Sequence, residues 1–342
     1  MSKKFYIYIA IALAVIVLAG IYVDRSVSMG QSPTTNGNSA APSNGSVALG
    51  NYGKAPDFKT GDTWLNSQPL KIGDLKGKVV LVDFWTYSCI NCIRTLPYVT
   101  KWYDTYKNNG LVVVGVHTPE FAFEHDTNNV KNAIAQFGIH YPVVQDNDYA
   151  IWNSYNNEYW PAEYLINQKG EIVEEHFGEG NYDKTENDIR YLLSLTAAKV
   201  KTGSDNLSEI SSPEMYFGTE RLQNLAPGQL PSPIPWNYTL NKNIALNNFS
   251  MGGTWQFSAA NAALVSNTGQ INLKFHAGKV YMVAASQKPV TLAIVVDGKM
   301  QPPVTVQASK LYLLFDSKDY ADHAIQIDIN QPSFQAFTFT FG

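Results

Sequence analysis

The chain holds two cysteines, Cys89 and Cys92, and both lie in the segment FWTYSCINCIRTLPY, residues 84–98. Two thiols separated by two residues can bind a metal ion, form a structural disulfide, or exchange electrons with another thiol pair. The residues around them, and the other potential ligands of the chain, decide among these possibilities.

A zinc site and a structural disulfide are both weak interpretations of this pair. A closed zinc site needs about four Cys or His ligands at short spacings. The six histidines (117, 125, 140, 176, 276 and 323) are scattered, and none lies three to five residues from another. His125, between Glu124 and Asp126, is expected to be a solvated loop residue. A disulfide that closes so short a loop stabilises a protein by roughly 2 kcal/mol, against about 3 kcal/mol for a fifteen-residue loop.

The position of the cysteines favours a redox pair. They follow the apolar run KVVLVDFW (78–85), which is typical of a strand buried on both faces, and they precede residues with helical spacing. Free amides and the positive end of the helix dipole should favour a thiolate at Cys89, and a fall of its pKa from about 8.5 to about 7 would make half of it thiolate at pH 7. Cys92 lies about one helical turn further on, where it can attack a mixed disulfide formed at Cys89.

The surrounding pattern predicts a mixed α/β sheet covered on both faces. Residues 111–117 form a second buried strand, residues 127–138 a helix ended by Gly138, and the segments PAEYLIN and EIVEEHF a hairpin around the turn QKG. A last helix is expected from about Thr185 to about Val200, because Thr185 and Asp188 have the spacing of a capping box.

The N-terminal residues predict export. Lys3 and Lys4 precede an uncharged stretch, residues 5–23, that is long enough for a helix to cross the roughly 30 Å hydrocarbon core of a bilayer. The two lysines favour a cytoplasmic N-terminus, which places the rest of the chain outside the cytoplasm. We therefore expect a membrane anchor in residues 1–25, with a cleavable signal peptide as the alternative, and a flexible linker in residues 26–50.

Residues 50–198 resemble the thioredoxin family. VLVDFWTYSCINC is similar to that family's strand, Asp-Phe-Trp and Cys-x-x-Cys; Asp83 stands six residues before the first cysteine, where thioredoxins have a buried acid. Pro97 matches the proline that kinks the helix, and Pro161 in YWPAEYLI falls where the family has a cis-proline. The segments GVHTPEFAFE and GEGNYDKTENDIR are closer still to DipZ-type proteins of the membrane-tethered redoxin (TlpA) branch. The resemblance implies a thioredoxin-like domain in residues 51–200.

The resemblance also implies roles for individual residues. Cys89 would exchange with the substrate and Cys92 would resolve the mixed disulfide. Asp83 would accept a proton from Cys92, since burial raises the pKa of a carboxyl; the alternative is a purely structural acid. No cofactor other than the redox-active Cys89–Cys92 disulfide is expected.

Substrate contacts are expected around the cysteines. Trp160 and Pro161 would offer backbone groups to a substrate strand, and Ile90 and Asn91 lie between the two thiols. Thioredoxins have tryptophan in the place of Ser88 and Gly-Pro in the place of Ile90-Asn91, so their reduction potential cannot be assumed here.

Other residues near the motif have structural interpretations. Trp85 and Tyr87 are expected to be packing or rim residues rather than catalysts. Glu120 and Glu124 are expected to form a solvated loop face, with a role in substrate choice as the alternative.

The C-terminal part has a different composition. Residues 201–236 include several prolines and are expected to form a connector, whereas residues 237–342 contain short alternating runs such as INLKFHA, KVYMVAAS, KLYLLFD and AIQIDI. These predict an all-β sandwich. DipZ-type proteins have a C-terminal jelly-roll domain similar to carbohydrate-binding modules, and SPEMYFGTERLQN, GGTWQF and FTFG resemble its landmarks. Trp236 and Trp255 would be the candidates for stacking on a glycan, with core or interdomain packing as the alternative.

Composition and charge limit the classes of partner. With 342 residues, 45% hydrophobic and 16% charged, and a formal net charge of −4, the chain is a globular protein without the basic surface that nucleic-acid binding requires.

We expect an extracytoplasmic, membrane-anchored thiol–disulfide oxidoreductase that reduces protein disulfides. Because the sequence has one apolar span, its electrons would come from a separate, CcdA-like membrane donor. A thiol oxidase or isomerase, a peroxide-reducing redoxin, and a non-catalytic envelope-binding protein are the alternatives.

Overall fold

A computed structural model describes residues 49–59, 62–195 and 212–342. The predicted membrane anchor, nearly all of the linker, and residues 196–211 lie outside these ranges. Within them, no helix is long and apolar enough to cross a membrane.

The N-terminal domain is built on a six-stranded mixed sheet with the strand order β1-β4-β3-β2-β5-β6. The central strands β2, β3 and β4 are parallel, while β1, β5 and β6 are antiparallel to their neighbours. Every residue of β2 is buried, as its apolar sequence predicts. The strands are β1 (Thr63–Leu65), β2 (Val79–Trp85), β3 (Leu111–His117), β4 (Val143–Gln145), β5 (Ala162–Ile166) and β6 (Ile172–Phe177).

Helices cover both faces of this sheet, and the buried apolar side chains form one cluster on each face. The long helix that starts at the cysteines contains Pro97. The helices are α1 (Ile90–Tyr106), α2 (Thr127–Gln136), α3 (Ala150–Ser154) and α4 (Tyr182–Leu192), with short 3-10 turns at Ile72–Leu75, Lys107–Asn109 and Ala122–His125.

The predicted start of the last helix is wrong. Helix α4 begins at Tyr182 after the N-cap residue Asn181, and it ends at Leu192. Thr185 and Asp188 are therefore inside the helix and buried, not at its start. They had the spacing of a capping box, but the preceding turn, with a positive φ at Asn181 and Gly180, starts the helix earlier.

The C-terminal domain is a nine-stranded antiparallel sheet within residues 212–342. Its path runs β12-β11-β14-β10-β15-β7, with β13 paired to β11, and β9 joining β8 to β10. A single large apolar cluster is enclosed by this sheet. The strands are β7 (Met215–Tyr216), β8 (Trp236–Tyr238), β9 (Asn248–Phe257), β10 (Ala262–Ser286), β11 (Val290–Val296), β12 (Lys299–Met300), β13 (Val304–Val306), β14 (Lys310–Ile329) and β15 (Phe334–Phe341).

The strands of this domain are longer than the sequence pattern predicts. INLKFHA and KVYMVAAS form one 25-residue strand, β10, and KLYLLFD and AIQIDI belong to the 20-residue β14. Strand β10 pairs with β9 as far as Lys274 and with β15 at Val280–Ser286, and its register with β14 shifts between Ala277 and Lys279. Strand β7 comes from the predicted connector and pairs with β15. All strands belong to one hydrogen-bonded sheet, so the finer assignment to a jelly roll stays a prediction.

The two domains pack against each other through aromatic side chains. Phe121 and Phe123 follow β3, and each lies 5.1 Å, centroid to centroid, from the ring of Phe337 on β15. Val283 and Ala285 of β10 complete a small buried cluster with Phe121 and Phe337. The C-terminal domain therefore rests on the loop beside the cysteines.

Candidate functional site

The two cysteines lie where β2 leads into α1, and they have different accessibility. Cys89 is the N-cap residue of α1, and its Sγ accepts a hydrogen bond from the backbone N–H of Cys92 at 3.2 Å. The two thiol sulfurs are 2.7 Å apart. Cys89 is 8% exposed and Cys92 is 1% exposed. Both thiols are therefore buried, and Cys89 is the more exposed of the two.

The expected low pKa of Cys89 is not found. Burial raises the pKa of this thiol, and the hydrogen bond from Cys92 opposes the rise. The carboxylates of Glu214 and Glu120 raise it further. The helix start does favour a thiolate, as the sequence suggested, but the turn is buried and faces two acids that sequence spacing could not reveal.

Behind Cys92 lies a buried carboxyl group. Asp83 is in the middle of β2, and burial raises its pKa to about 7, with the hydroxyl of Tyr141 opposing the rise. Among the described residues neither oxygen of Asp83 has a hydrogen-bond partner. Burial also raises the pKa of Cys92, as do Cys89 and, to a smaller extent, Asp83. A proton that leaves Cys92 near neutral pH thus has an acceptor beside it.

The Trp160–Pro161 peptide bond is cis, as the resemblance predicted. Pro161 immediately precedes β5, whose Ala162 pairs with Phe84 near the end of β2. This register places the Trp160–Pro161 loop next to the end of β2, where the cysteine turn begins. The indole of Trp160 donates to the carbonyl of Thr118 at 3.1 Å. The role of the Trp160–Pro161 backbone in binding a substrate strand stays a prediction.

The two residues between the cysteines differ in their surroundings. Ile90 is buried and lines a cleft of ≈510 Å³. Asn91 is half-buried, and its side-chain oxygen accepts from Arg94 Nη2 at 2.7 Å. Arg94 also donates to the carbonyl of Phe341 in the C-terminal domain at 3.1 Å. Asn91 is thus held at the domain boundary.

The same cleft has walls from both domains. Helices α1 and α2 form one side, and β10 with the start of β14 forms the other. The cleft is lined by Tyr87 and Ile90, which lie two residues before and one residue after Cys89 in the chain. Other lining residues include Arg94, Phe137, Tyr281 and Leu311.

The expectation that Glu124 is solvated is wrong. Its side chain is fully buried and accepts from the Ser88 backbone N–H at 3.3 Å and the Ser88 hydroxyl at 2.7 Å. The other carboxyl oxygen accepts from the N–H groups of Glu120 and Phe121 at 2.6 and 2.9 Å. Glu124 thereby ties the loop after β3 to the turn that presents Cys89. The adjacency of β2 and β3 was readable from sequence, but the inward direction of this side chain was not.

Glu120 is also largely shielded, and it binds the C-terminal domain. Its carboxylate is 2.6 Å from Arg221 Nη1 and 3.0 Å from the hydroxyl of Tyr216. That hydroxyl is also 2.6 Å from Glu214. Burial raises the pKa of Glu120 to about 7; Glu214 adds to the rise, and Arg221 opposes it. A polar cluster from both domains therefore lies near Cys89.

The remaining expectations concern single side chains. Trp85 and Tyr87 are buried packing residues, and His125 is exposed, as predicted. Trp255 is buried, with its indole N–H donated to the carbonyl of Gly252 at 2.9 Å, whereas Trp236 is 59% exposed.

Sequence analysis missed Glu163, a buried carboxyl directly opposite Asp83 on β5. Its signal was a charged residue within the apolar run AEYLI.

Two protein-family models match the chain. Residues 51–193 match the family described as Redoxin, and residues 212–342 match the family described as Thioredoxin like C-terminal domain. The first match covers the sheet with the cysteines, and the second includes β7, in agreement with the start of the second sheet.

Individual relatives agree with this division. The chain is 38% identical over 316 residues to the protein DipZ of Mycobacterium tuberculosis, which covers 88% of this chain and 44% of that protein. It thus spans less than half the length of this relative. It is 31% identical over 143 residues to the thiol-disulfide oxidoreductase ResA of Bacillus anthracis, covering 42% of this chain and 77% of ResA.

Solved structures include similar chains. The thioredoxin domain of a thiol-disulfide oxidoreductase from Bacteroides vulgatus is 27% identical, with a TM-score of 0.36. The match covers 42% of this chain and 99% of that one.

Proposed function

The chain belongs to the DipZ-type, thioredoxin-like family of thiol–disulfide oxidoreductases, and from this premise we propose that it reduces disulfide bonds of protein substrates outside the cytoplasm. The observation that carries the proposal is the pair of thiols 2.7 Å apart at the start of α1, of which Cys89 is the more exposed, together with the buried carboxyl of Asp83 near Cys92. The thiol pair itself is the redox group, with no additional cofactor.

The proposed reaction has two steps. The thiolate of Cys89 attacks a substrate disulfide, so that a mixed disulfide forms and one substrate thiolate leaves. Cys92 then gives its proton to Asp83 and attacks the sulfur of Cys89, which releases the second substrate thiolate and leaves a Cys89–Cys92 disulfide. Two electrons have passed to the substrate, and an electron donor must return them before the next cycle.

The direction of the reaction is supported by the surroundings of Cys89. A thiolate that is strongly stabilised makes the reduced form stable and the protein an oxidant, as in DsbA, whereas thioredoxin, with a higher thiol pKa, is a reductant. Glu214 and Glu120 act against the thiolate of Cys89, and burial acts in the same direction. These charges favour a reductant over an oxidase.

Substrate segments would enter the ≈510 Å³ cleft beside Cys89 and pair with the backbone at Trp160 and Pro161. The cleft combines apolar side chains such as Ile90 and Leu311 with polar ones. A wall from the C-terminal domain would allow the enzyme to select among protein disulfides.

The extracytoplasmic location and the partner in the membrane are part of the proposal. They rest on residues 5–23, which are uncharged and follow Lys3 and Lys4. An anchor there would hold the redox domain near a CcdA-like membrane donor.

A glycan-binding role of the C-terminal domain has support from one surface. Trp236 lines a cleft of ≈520 Å³ with Leu230, Pro233 and Tyr238, and both Trp236 and Leu230 are exposed. Exposed apolar patches of this kind mark binding sites. If Trp236 stacks on envelope polysaccharide, Trp236→Ala should reduce retention on isolated cell wall, while Met300→Ala, at another exposed position of this domain, should not.

The experiment that tests the proposed function is the redox state of the full chain in its host. Rapid acid quenching followed by alkylation should find Cys89 and Cys92 mainly as thiols, whereas a mainly oxidised pair would indicate a thiol oxidase. In the purified protein, Cys92→Ser should retain substrates as mixed disulfides on Cys89, and Cys89→Ser should abolish insulin disulfide reduction. Capture of substrates by Cys92 instead would overturn the assignment of roles.

A further inference from the structure

A second buried carboxyl group lies directly beside Asp83. In the antiparallel pairing of β2 with β5, Asp83 is opposite Glu163. Directly paired residues have Cβ atoms about 4.5–5.5 Å apart and point to the same face of the sheet. Asp83 is 1% and Glu163 3% exposed. Within the described structure, none of the four carboxyl oxygens has a hydrogen-bond partner.

Two unpaired carboxyl groups in such a position cannot both be ionised. Each buried charge is costly without a partner, and two like charges add repulsion. Burial raises the pKa of Glu163 well above its usual value, and the charge of Asp83 raises it further. The pKa of Asp83 is about 7. The pair therefore carries at most one negative charge near neutral pH, on Asp83, while Glu163 keeps its proton.

Asp83 is one end of a row of three acidic residues, Asp83, Glu163 and Glu174. Cys92 of α1 lies on one side, and Tyr141, just before β4, lies on another. Glu163 is the neighbour on the adjacent strand β5. Asp83 therefore has a proton source, Cys92, and a second carboxyl group next to it.

The groups that face Glu163 continue the row towards the surface. Thr185 of α4 lowers the pKa of Glu163 slightly, and the charge of Glu174 on β6 raises it. His176 is the directly paired residue of Glu163 on β6, and burial lowers its pKa.

Glu174 is the member of this row next to an exposed side chain, although it is itself only 8% exposed. It contacts Lys184, whose side chain is 59% exposed. Burial raises the pKa of Glu174 to about 7; Asp188 adds to the rise, and Lys184 opposes it. Acids with a pKa near neutral thus lie at both ends of the row.

We propose that Glu163 is a positioning residue of the resolving step. It receives the proton of Cys92 through Asp83, and it passes a proton towards Glu174 at the edge of the sheet. The step is balanced: Asp83 gains the proton that Cys92 loses, Glu163 gives its own proton to the carboxylate of Glu174 and takes up that of Asp83, and Asp83 is again a carboxylate. No electron moves in this transfer. The inference rests on the two-step exchange under the proposed function.

A two-phase assay separates the proposed function from this inference. Reduced protein is mixed with 5,5′-dithiobis(2-nitrobenzoate) in a stopped-flow instrument. Attack by Cys89 releases one thionitrobenzoate, and attack by Cys92 on the mixed disulfide releases the second. Release of two thionitrobenzoates per molecule of unmodified protein confirms the dithiol exchange, and release of only one would refute it whatever Glu163 does.

Glu163→Gln then tests the inference, because glutamine has nearly the shape of a protonated glutamate but cannot release a proton. We expect an unchanged first phase and a second phase slowed roughly tenfold, less than the hundredfold or more that loss of a direct general base causes. The pH profile of the second phase should change as well. Glu163→Asp, which keeps a carboxyl, should recover part of the rate. The matched control Glu175→Gln, on β6 but only partly buried, should leave both phases unchanged.

A double variant shows whether the two acids act in series. If they do, Asp83→Asn with Glu163→Gln should be no slower than Asp83→Asn alone. If the double variant slows the second phase by the product of the two single factors, the two acids do not act on one proton path. An unchanged second phase in Glu163→Gln, or equal slowing of both phases, would also overturn the proposal, since the latter indicates a general disturbance of the fold.

Discussion

At the scale of single residues, the site depends on unequal burial of similar groups. Cys89 and Cys92 are identical in chemistry and both are buried, yet Cys89 is 8% exposed and Cys92 only 1%. Asp83 and Glu163 are likewise both carboxyl groups, and their different neighbours separate their pKa values. Such separation lets one group of a pair accept a proton while the other holds one.

The raised pKa of Asp83 predicts a pH-dependent stability. Because the carboxyl has a pKa of about 7 in the folded protein and 3.8 when it is not buried, the native state binds more protons than the unfolded chain between these pH values. Stability therefore falls as the pH rises through this window. Asp83→Asn should stabilise the reduced protein by about 2–4 kcal/mol at pH 8 and by almost nothing near pH 4.

Urea unfolding of the reduced protein at several pH values measures this difference. Asp319→Asn makes the same chemical change at an exposed position and should have little effect at any pH. A gain from Asp83→Asn that does not vary with pH would show that burial does not raise the pKa of Asp83.

At the scale of elements, Glu124 joins two loops that follow neighbouring parallel strands. Its four hydrogen bonds connect the turn before α1 with the loop after β3. In Glu124→Gln one accepting oxygen becomes an N–H₂ group that faces N–H or O–H donors. We expect a loss of about 1–3 kcal/mol in the free energy of unfolding, the usual result of unsatisfied buried groups.

The measurement for Glu124 is again urea unfolding, together with alkylation of Cys89. The alkylation rate should change because Ser88, which precedes Cys89, loses its acceptor. Glu158→Gln is the matched control, since Glu158 is exposed. Unchanged stability in Glu124→Gln would mean that the loop is held by its aromatic contacts alone.

The elements also show what the sequence could reveal. The apolar runs of β2 and β3 and the hairpin β5–β6 were predictable, because strands buried on both faces have continuous apolar sequences. Cys89 at a helix start followed from the same pattern. The inward orientation of the Glu124 side chain was not predictable, because loop residues have no periodicity from which burial can be inferred. The long β10 was divided in the prediction at Gly278, where the structure has an irregular register rather than a turn.

At the scale of the whole molecule, the C-terminal domain contributes charge to the redox site. Glu214 raises the pKa of Cys89 across the domain boundary. Glu214→Gln should therefore lower this pKa and increase the rate of iodoacetamide alkylation at pH 7, roughly two- to threefold for a partly screened charge. Glu220→Gln removes an exposed charge of the same domain and should change the rate little. Equal rates in all three proteins would remove the C-terminal domain from the electrostatics of Cys89.

The aromatic contact between the domains predicts energetic coupling. Phe121 and Phe337 meet edge to face at 5.1 Å, and both are buried. Phe121→Ala and Phe337→Ala should each destabilise the protein by about 3–5 kcal/mol. Because each substitution removes the partner of the other ring, the double variant should lose less than the sum, by about 0.5–1.5 kcal/mol.

Thermal and urea unfolding of the four proteins in this cycle give the coupling energy, and insulin reduction assayed in parallel connects it with function. If the contact holds the loop that carries Glu120 and Glu124, each single variant should also slow reduction of a protein disulfide more than reduction of a small one. Additive stability changes with unchanged selectivity would mean that the two domains act independently, and the C-terminal domain would then have to be explained by binding alone.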